Sequence, residues 1–193
     1  TSYAQIIKTF NNGICFAHVA YELEKAFKIR NTGIQFNQYW DFESLKANIN
    51  KVEVLTISGL WDNNLLDEAK NLKFIQSIGA GYDQFDLKAL KSRGIKLANA
   101  SGCNKNAVSE HAISMILSLT RLLHHGRDNQ KKHFWRPMIS DSTIREDELE
   151  NKTMLLIGLG QIGSRISKIA KAFGMNVIAI RQNPKLGKGT ADE

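Results

Sequence analysis

Thr153-Met154-Leu155-Leu156-Ile157-Gly158-Leu159-Gly160-Gln161-Ile162-Gly163-Ser164-Arg165 opens the stretch that decides how this chain is read, and Asn176-Val177-Ile178-Ala179-Ile180-Arg181-Gln182-Asn183-Pro184 closes it. Met154, Leu155, Leu156 and Ile157 form a short uncharged apolar run, the pattern of a strand buried on both faces of a parallel sheet. Gly158, Gly160 and Gly163 follow at G-x-G-x-x-G spacing. Ile162, Ile166, Ile169, Ala170 and Phe173 then recur at helical spacing, Gly174 stops that helix, and residues 177–180 make a second apolar run.

Each glycine answers a separate steric demand. Gly158 permits a tight turn, Gly160 lets backbone come close to a pyrophosphate, and Gly163 lets helix pack on strand. The amides of the first helical turn, Gln161 and Ile162 among them, then hold phosphate oxygens together with the helix dipole. Strand, glycines, helix and second strand occur in the order and length that this chemistry requires, so residues 151–193 read as the start of a Rossmann dinucleotide-binding domain. The bland alternative is a set of glycines in an ordinary strand-to-helix turn.

The position closing the second strand selects the dinucleotide. A carboxylate there would bind the adenosine ribose 2′-hydroxyl and repel a 2′-phosphate. This chain has Arg181, followed by Gln182 and Asn183, with Lys185 and Lys188 close by. A guanidinium takes a phosphate through two parallel hydrogen bonds. NADP is therefore expected ahead of NAD, against the alternative of a solvated arginine at a strand end.

At 193 residues the chain can build one good core or two small ones, and 42% hydrophobic with 23% charged residues is ordinary for a globular protein. No apolar run reaches the roughly 18 residues of a membrane span. Thr1-Ser2-Tyr3-Ala4-Gln5-Ile6-Ile7-Lys8 lacks the layout of a signal peptide. Cys15 and Cys103 have no metal-binding spacing, and a reduced, cytoplasmic setting is the simplest expectation. The net charge of +7 is spread along the chain without a dense cluster or aromatic platform. An anionic cofactor and an anionic substrate, rather than nucleic acid, account for it.

Residues 1–100 alternate between strand and helix patterns, which implies an α/β domain with a parallel sheet. Strands are expected at Ile6-Ile7, Ile14-Cys15-Phe16, Ile34-Gln35-Phe36, and residues 52–57, 74–78 and 95–98. Helices are expected at residues 17–27, 41–49 with Asp41 as N-cap, 63–69 with Asp62 as a possible cap, and 86–91. Ser58-Gly59 and Gly79-Ala80-Gly81 follow two of the strands, where open α/β sheets bind ligands. Successive amides in such loops form an anion-binding nest, although glycines there also simply permit tight turns. From Ala107 a long helix begins, with Ala112, Met115, Ile116, Leu119, Leu122 and Leu123 in one stripe widened by Ile113 and Leu117. It is expected to be mostly buried, capped by Asn104 or Asn106 and ended by Gly126. Residues 127–150 read as a polar, irregular excursion carrying Trp135.

Four segments together resemble one family. They are Asn71-Leu72-Lys73-Phe74-Ile75-Gln76-Ser77-Ile78-Gly79-Ala80-Gly81-Tyr82-Asp83, Gly94-Ile95-Lys96-Leu97-Ala98-Asn99, Val108-Ser109-Glu110-His111-Ala112 and Gly158-Leu159-Gly160-Gln161-Ile162-Gly163. Their order and spacing resemble the NAD(P)-dependent D-isomer-specific 2-hydroxyacid dehydrogenases, over roughly residues 50–184. The resemblance implies a flavodoxin-like substrate-binding domain in residues 1–103, an interdomain helix and dimerisation arm in residues 104–150, and an incomplete Rossmann domain in residues 151–193. It also implies a homodimer and a small 2-keto or 2-hydroxy acid as substrate. By the same analogy Gly79, Ala80 and Gly81 bind the substrate carboxylate with help from Ser58 and Gly59, and the loop from Asn104 to Val108 approaches the nicotinamide. Arg181 resembles the arginine of the NADP-preferring glyoxylate/hydroxypyruvate reductase branch.

The family's catalytic arginine, glutamate and histidine lie further along than Glu193, so no catalytic residue is expected within these 193 residues. Reducing a 2-keto acid needs a positive group for the carboxylate and a proton donor, commonly an imidazole held by a carboxylate. None of His18, His111, His124, His125 and His133 carries motif support for that role. The chain is therefore expected to be an inactive fragment of a longer oxidoreductase. The alternative is a nucleotide-sensing or protein-interaction module that kept the fold without the chemistry.

Overall fold

The computed structural model describes residues 13–193, so the strand expected at Ile6-Ile7 lies outside the described residues. The chain forms two compact units, one ending at Ser101 and the other beginning at Gly102.

The first unit is built on five parallel strands: β1 (Ile14–Ala17), β2 (Phe36–Tyr39), β3 (Val54–Ile57), β4 (Phe74–Ser77) and β5 (Lys96–Ala98). Their spatial order is β2-β1-β3-β4-β5, the flavodoxin-like arrangement, in which the direction of winding reverses between β1 and β3. Ala17, Ile57 and Ser77 lie level across β1, β3 and β4, so the loops that follow these strands leave the sheet side by side. The apolar side chains explain the sheet's stability. Leu45, Ile49, Leu55, Ile57, Leu65, Ile75 and Leu90 are essentially solvent-free and form one cluster.

The helices of this unit are short: α1 (Leu23–Lys28), α2 (Phe42–Asn48), α3 (Leu65–Glu68) and α4 (Leu87–Ser92). Asp41 caps α2 as its type and position predict, accepting from Ser44 N at 2.7 Å. Asp86 does the same for α4. The helix expected over 17–27 is shorter than its pattern. His18 Nδ1 accepts from Ala20 N and Tyr21 N, which holds residues 18–21 in a turn and delays α1 to Leu23. The strand expected at 34–36 begins two residues later, at Phe36, although the Gln35 carbonyl already accepts from Ile14 N of β1 at 2.9 Å.

The second unit holds α5 (Lys105–Thr120), α6 (Leu123–Lys131), β6 (Thr153–Ile157), α7 (Gln161–Ala172) and β7 (Asn176–Ile180). Strands β6 and β7 are parallel, and α7 is the crossover between them. Two expectations fail here. The long helix is neither continuous nor mostly buried: Leu122 adopts φ +50, which separates α5 from α6, and Gly126 lies inside α6 instead of ending a helix. Only Ser109 and Ile113 of α5 are buried, while Met115 and Leu119 are exposed. Nor is β6 buried on both faces, since Leu155 and Ile157 are exposed, together with Ile178 and Ile180 of β7. One helix covers one face of a two-stranded sheet, and successive side chains point to opposite faces. The inward set, including Val177 and Met154, packs with Ala170, Leu159 and Leu149.

Candidate functional site

In the first unit the loop Gly79-Ala80-Gly81 leaves β4 at the carboxyl edge of the sheet. Its carbonyls turn toward the chain: Gly79 O accepts from Ala100 N at 3.0 Å, Ala80 O from Asn99 Nδ2 at 2.6 Å, and the buried Ser77 hydroxyl lies 3.3 and 3.4 Å from the Gly79 and Gly81 carbonyls. With the carbonyls occupied, the amides of Gly79, Ala80 and Gly81 are left without an acceptor among the described residues. Unpaired successive amides of this kind favour an anion. Ser58 and Gly59 follow β3 one strand away, at the same level of the sheet; the Ser58 carbonyl accepts from Trp61 N and the Gly59 amide has no acceptor among the described residues.

Asn63 braces both loops. Its Oδ1 accepts from Trp61 Nε1 at 3.0 Å and Asp86 N at 2.9 Å, while its Nδ2 donates to Gln84 O at 3.1 Å. Sequence reasoning missed Asn63, Ser77 and Asn99 as parts of the site. Asn99 did carry a signal, since a short amide side chain directly after a strand is placed to satisfy a neighbouring loop. Asn63 carried none, because the partners that tie it to the second loop stand 21 and 23 residues away.

In the second unit the three glycines behave differently from one another. Gly158 sits at φ +104, a conformation that side chains oppose. A methyl built on Gly163 would fall 2.1 Å from the Gly158 carbonyl oxygen, so α7 rests directly on the end of β6. Gly160, the N-cap of α7, has open space where a side chain would stand. Ser164 N donates to Gly160 O, and the amides of Gln161, Ile162 and Gly163 have no acceptor among the described residues. These amides stand at the positive end of a 12-residue helix. The groups needed to hold a pyrophosphate are thus present and unpaired, which fits a dinucleotide.

Arg181 follows β7. Its Nη1 donates to Gly187 O at 2.6 Å and Leu186 O at 3.3 Å, so the turn formed by Pro184–Leu186 holds the guanidinium from one side. Asn183 Oδ1 accepts from Lys185 N and shapes that turn, whereas Gln182 is exposed. Lys188 Nζ is turned to Asp192 O. Asp192 in turn joins Lys171 Nζ and Val177 N, and these partners hold its carboxyl below the usual range.

At the start of α5, Asn104 occupies the N-cap position without a side-chain cap bond, and Val108 is partly exposed one turn on. No histidine makes a hydrogen bond or ion pair with a carboxylate among the described residues. No cluster of metal-binding side chains occurs there either. Burial pushes the Cys15 thiol up to about 12, which makes it a poor nucleophile. No helix among the described residues is long and apolar enough to cross a membrane.

Comparison with known proteins agrees with this geometry. Over 153 residues the chain is 33% identical to the D-3-phosphoglycerate dehydrogenase of Archaeoglobus fulgidus, covering 78% of this chain and 28% of that protein. It is 31% identical over 145 residues to the hydroxypyruvate reductase of Thermotoga maritima, covering 74% of this chain and 46% of the relative. The crystal structure of a D-isomer specific 2-hydroxyacid dehydrogenase family protein from Aeromonas salmonicida superposes with a TM-score of 0.78 at 24% identity, over 93% of this chain and 56% of that one. The chain therefore spans between about a quarter and somewhat over half the length of these relatives. The family model described as "D-isomer specific 2-hydroxyacid dehydrogenase, catalytic domain" matches residues 16–188, and this chain belongs to that family.

Proposed function

We propose that this chain supplies the substrate-carboxylate site and the dinucleotide-phosphate site of an oxidoreductase that moves a hydride between NADP(H) and a small 2-keto or 2-hydroxy acid of the glyoxylate or hydroxypyruvate type. The observation that carries the reading is the pair of unpaired amide sets, one at residues 79–81 and one at residues 161–163. Both suit anions, and substrate and cofactor are both anionic.

In this reading Gly79, Ala80 and Gly81 bind the carboxylate, with Ser58 and Gly59 beside them. Gly158, Gly160, Gln161, Ile162 and Gly163 cradle the pyrophosphate. Arg181 holds the 2′-phosphate with its remaining donors, and Gln182 and Asn183 line that end. The segment from Asn104 to Val108 borders the nicotinamide, whose reduced ring supplies the hydride when bound. The domain limits are residues 1–103, 104–150 and 151–193. Trp135 and Met138, almost fully exposed, face a second copy of the chain in a homodimer.

Titration with NADPH and NADH tests the cofactor assignment. Arg181→Asp should weaken NADPH by about 1.5–3 kcal/mol, the worth of a charge-assisted contact, while sparing NADH. An unchanged preference refutes NADP. Chemical-shift titration of the 79–81 amides with glyoxylate and hydroxypyruvate tests the carboxylate site, and perturbation confined to other residues refutes it.

A further inference from the structure

The turn at residues 158–163 is held from outside by the segment that leads into α5. Gly102, at φ +87, leaves room for Gln161: a methyl built there would sit 2.3 Å from Gln161 Oε1. Ser109 is solvent-free, donates to Lys105 O at 2.6 Å, and places its hydroxyl 3.5 Å from the Ile162 carbonyl. Glu110 then meets Arg165 Nη2 at 2.9 Å. Arg165 Nε is buried beside this pair without a hydrogen-bond partner, so Glu110 is the one anion compensating that guanidinium among the described residues.

Three residues of segment 102–110 thus touch Gln161, Ile162 and Arg165, all within the first five residues of α7. Two of them are small, which permits close approach. The body of α7 packs on β7 through Ala170 beside Val177, Leu159 and Met175, and Ile116 and Leu117 of α5 pack against the same cluster. The contacts at 102, 109 and 110 lie apart from that apolar cluster and act on the start of the helix, where the unpaired amides stand. Recognition by fixed amides tolerates errors of only about 0.5 Å.

We propose that Gly102, Ser109 and Glu110 form a seat for the dinucleotide turn, and that they are positioning residues which set dinucleotide affinity without touching the dinucleotide. This rests on the dinucleotide-binding reading given above. Through the seat, any displacement of α5 is passed to the phosphate site.

The test compares the parent chain with Ser109→Val and Glu110→Gln. NADPH and NADH affinities are read by fluorescence titration, and amide hydrogen exchange at Ser164 and Arg165 by NMR. Ser109→Val should weaken binding about tenfold by moving the turn. Glu110→Gln should weaken it about threefold, as a partly exposed ion pair allows, and it decides the matter if Ser109→Val fails to fold. Exchange at Ser164 and Arg165 should rise in both. Val177→Ala serves as the control for stability alone, lowering the unfolding temperature with affinity unchanged. The proposal falls if the seat variants bind within about twofold of the parent with unaltered exchange. It falls equally if Val177→Ala weakens binding as much as they do. A parent chain that binds neither dinucleotide overturns the proposed function instead, and the exchange rates then decide the seat by themselves.

Discussion

Replacing Gly163 by alanine should damage the fold, whereas the same change at Gly160 should damage only binding. The added methyl at 163 would lie 2.1 Å from the Gly158 carbonyl oxygen and 3.1 Å from its carbon. A comfortable carbon–oxygen approach is about 3.3 Å, so more than an ångström must open between α7 and the end of β6. Both partners are backbone, and no rotamer relieves the overlap. Overpacking of this kind costs about 1–3 kcal/mol, and here the upper figure applies because nothing nearby can yield. Exchanging glycine for alanine in a helix returns about 0.5–1 kcal/mol. The net loss is about 2 kcal/mol. If the second unit unfolds by itself, that loss lowers its midpoint by roughly 10 °C, at about 4–8 °C per kcal/mol for a unit of such size. Thermal unfolding followed by circular dichroism, with a urea titration for the free energy, measures it. At Gly160 the methyl meets nothing within 4 Å and φ is −84, so the midpoint should move little while dinucleotide binding is lost. A Gly163→Ala variant as stable as the parent would refute the close helix-on-strand packing. A Gly160→Ala variant with undiminished NADPH affinity would refute the placement of the pyrophosphate.

Three further outcomes are expected. Asn63→Ala strips Trp61 Nε1, Asp86 N and Gln84 O of their partner and should cost about 2–3 kcal/mol in urea denaturation; a loss below about 0.5 kcal/mol would show that the two loops are not braced by it. Ile75→Ala, at a solvent-free position facing Leu55 in β3, should cost about 2–5 kcal/mol, and a smaller loss would mean that the sheet centre is not packed as described. Asp192 is held below its ordinary value of 3.8 by Lys171 first and then the Val177 amide. Its contribution is therefore present above the unfolded carboxylate value and is lost as pH falls through the lower folded value. Asp192→Asn should lower the denaturation midpoint at pH 7 and leave that at strongly acid pH unchanged; an equal shift at both would refute the assignment.

Much of this molecule was legible in one dimension because the deciding interactions are local. The order of apolar runs and helical periods announces a parallel α/β arrangement, since a strand and its crossover helix each bury one face within some 30 residues of each other. The cap at Asp41 and the stops at Gly174 and the 158–163 turn are likewise events between residues a few positions apart. Periodicity misjudged burial wherever a face waits for a distant partner. Met115, Leu119, Leu155, Ile157 and Ile180 are apolar in pattern yet exposed, because pattern reports what a side chain prefers and not whether anything arrives to cover it.

Composition and spacing alone established that the chain is α/β, that it carries a strand-glycine-helix turn and that a cation follows the next strand, for these depend on neighbours in sequence. The tertiary structure decided which amides remain unpaired. The carbonyls of Gly79 and Ala80 are claimed by Ala100 and Asn99, and the start of α7 is held by Gly102, Ser109 and Glu110. Such contacts join residues 19 to 59 positions apart, and only the folded chain brings them within a few ångströms.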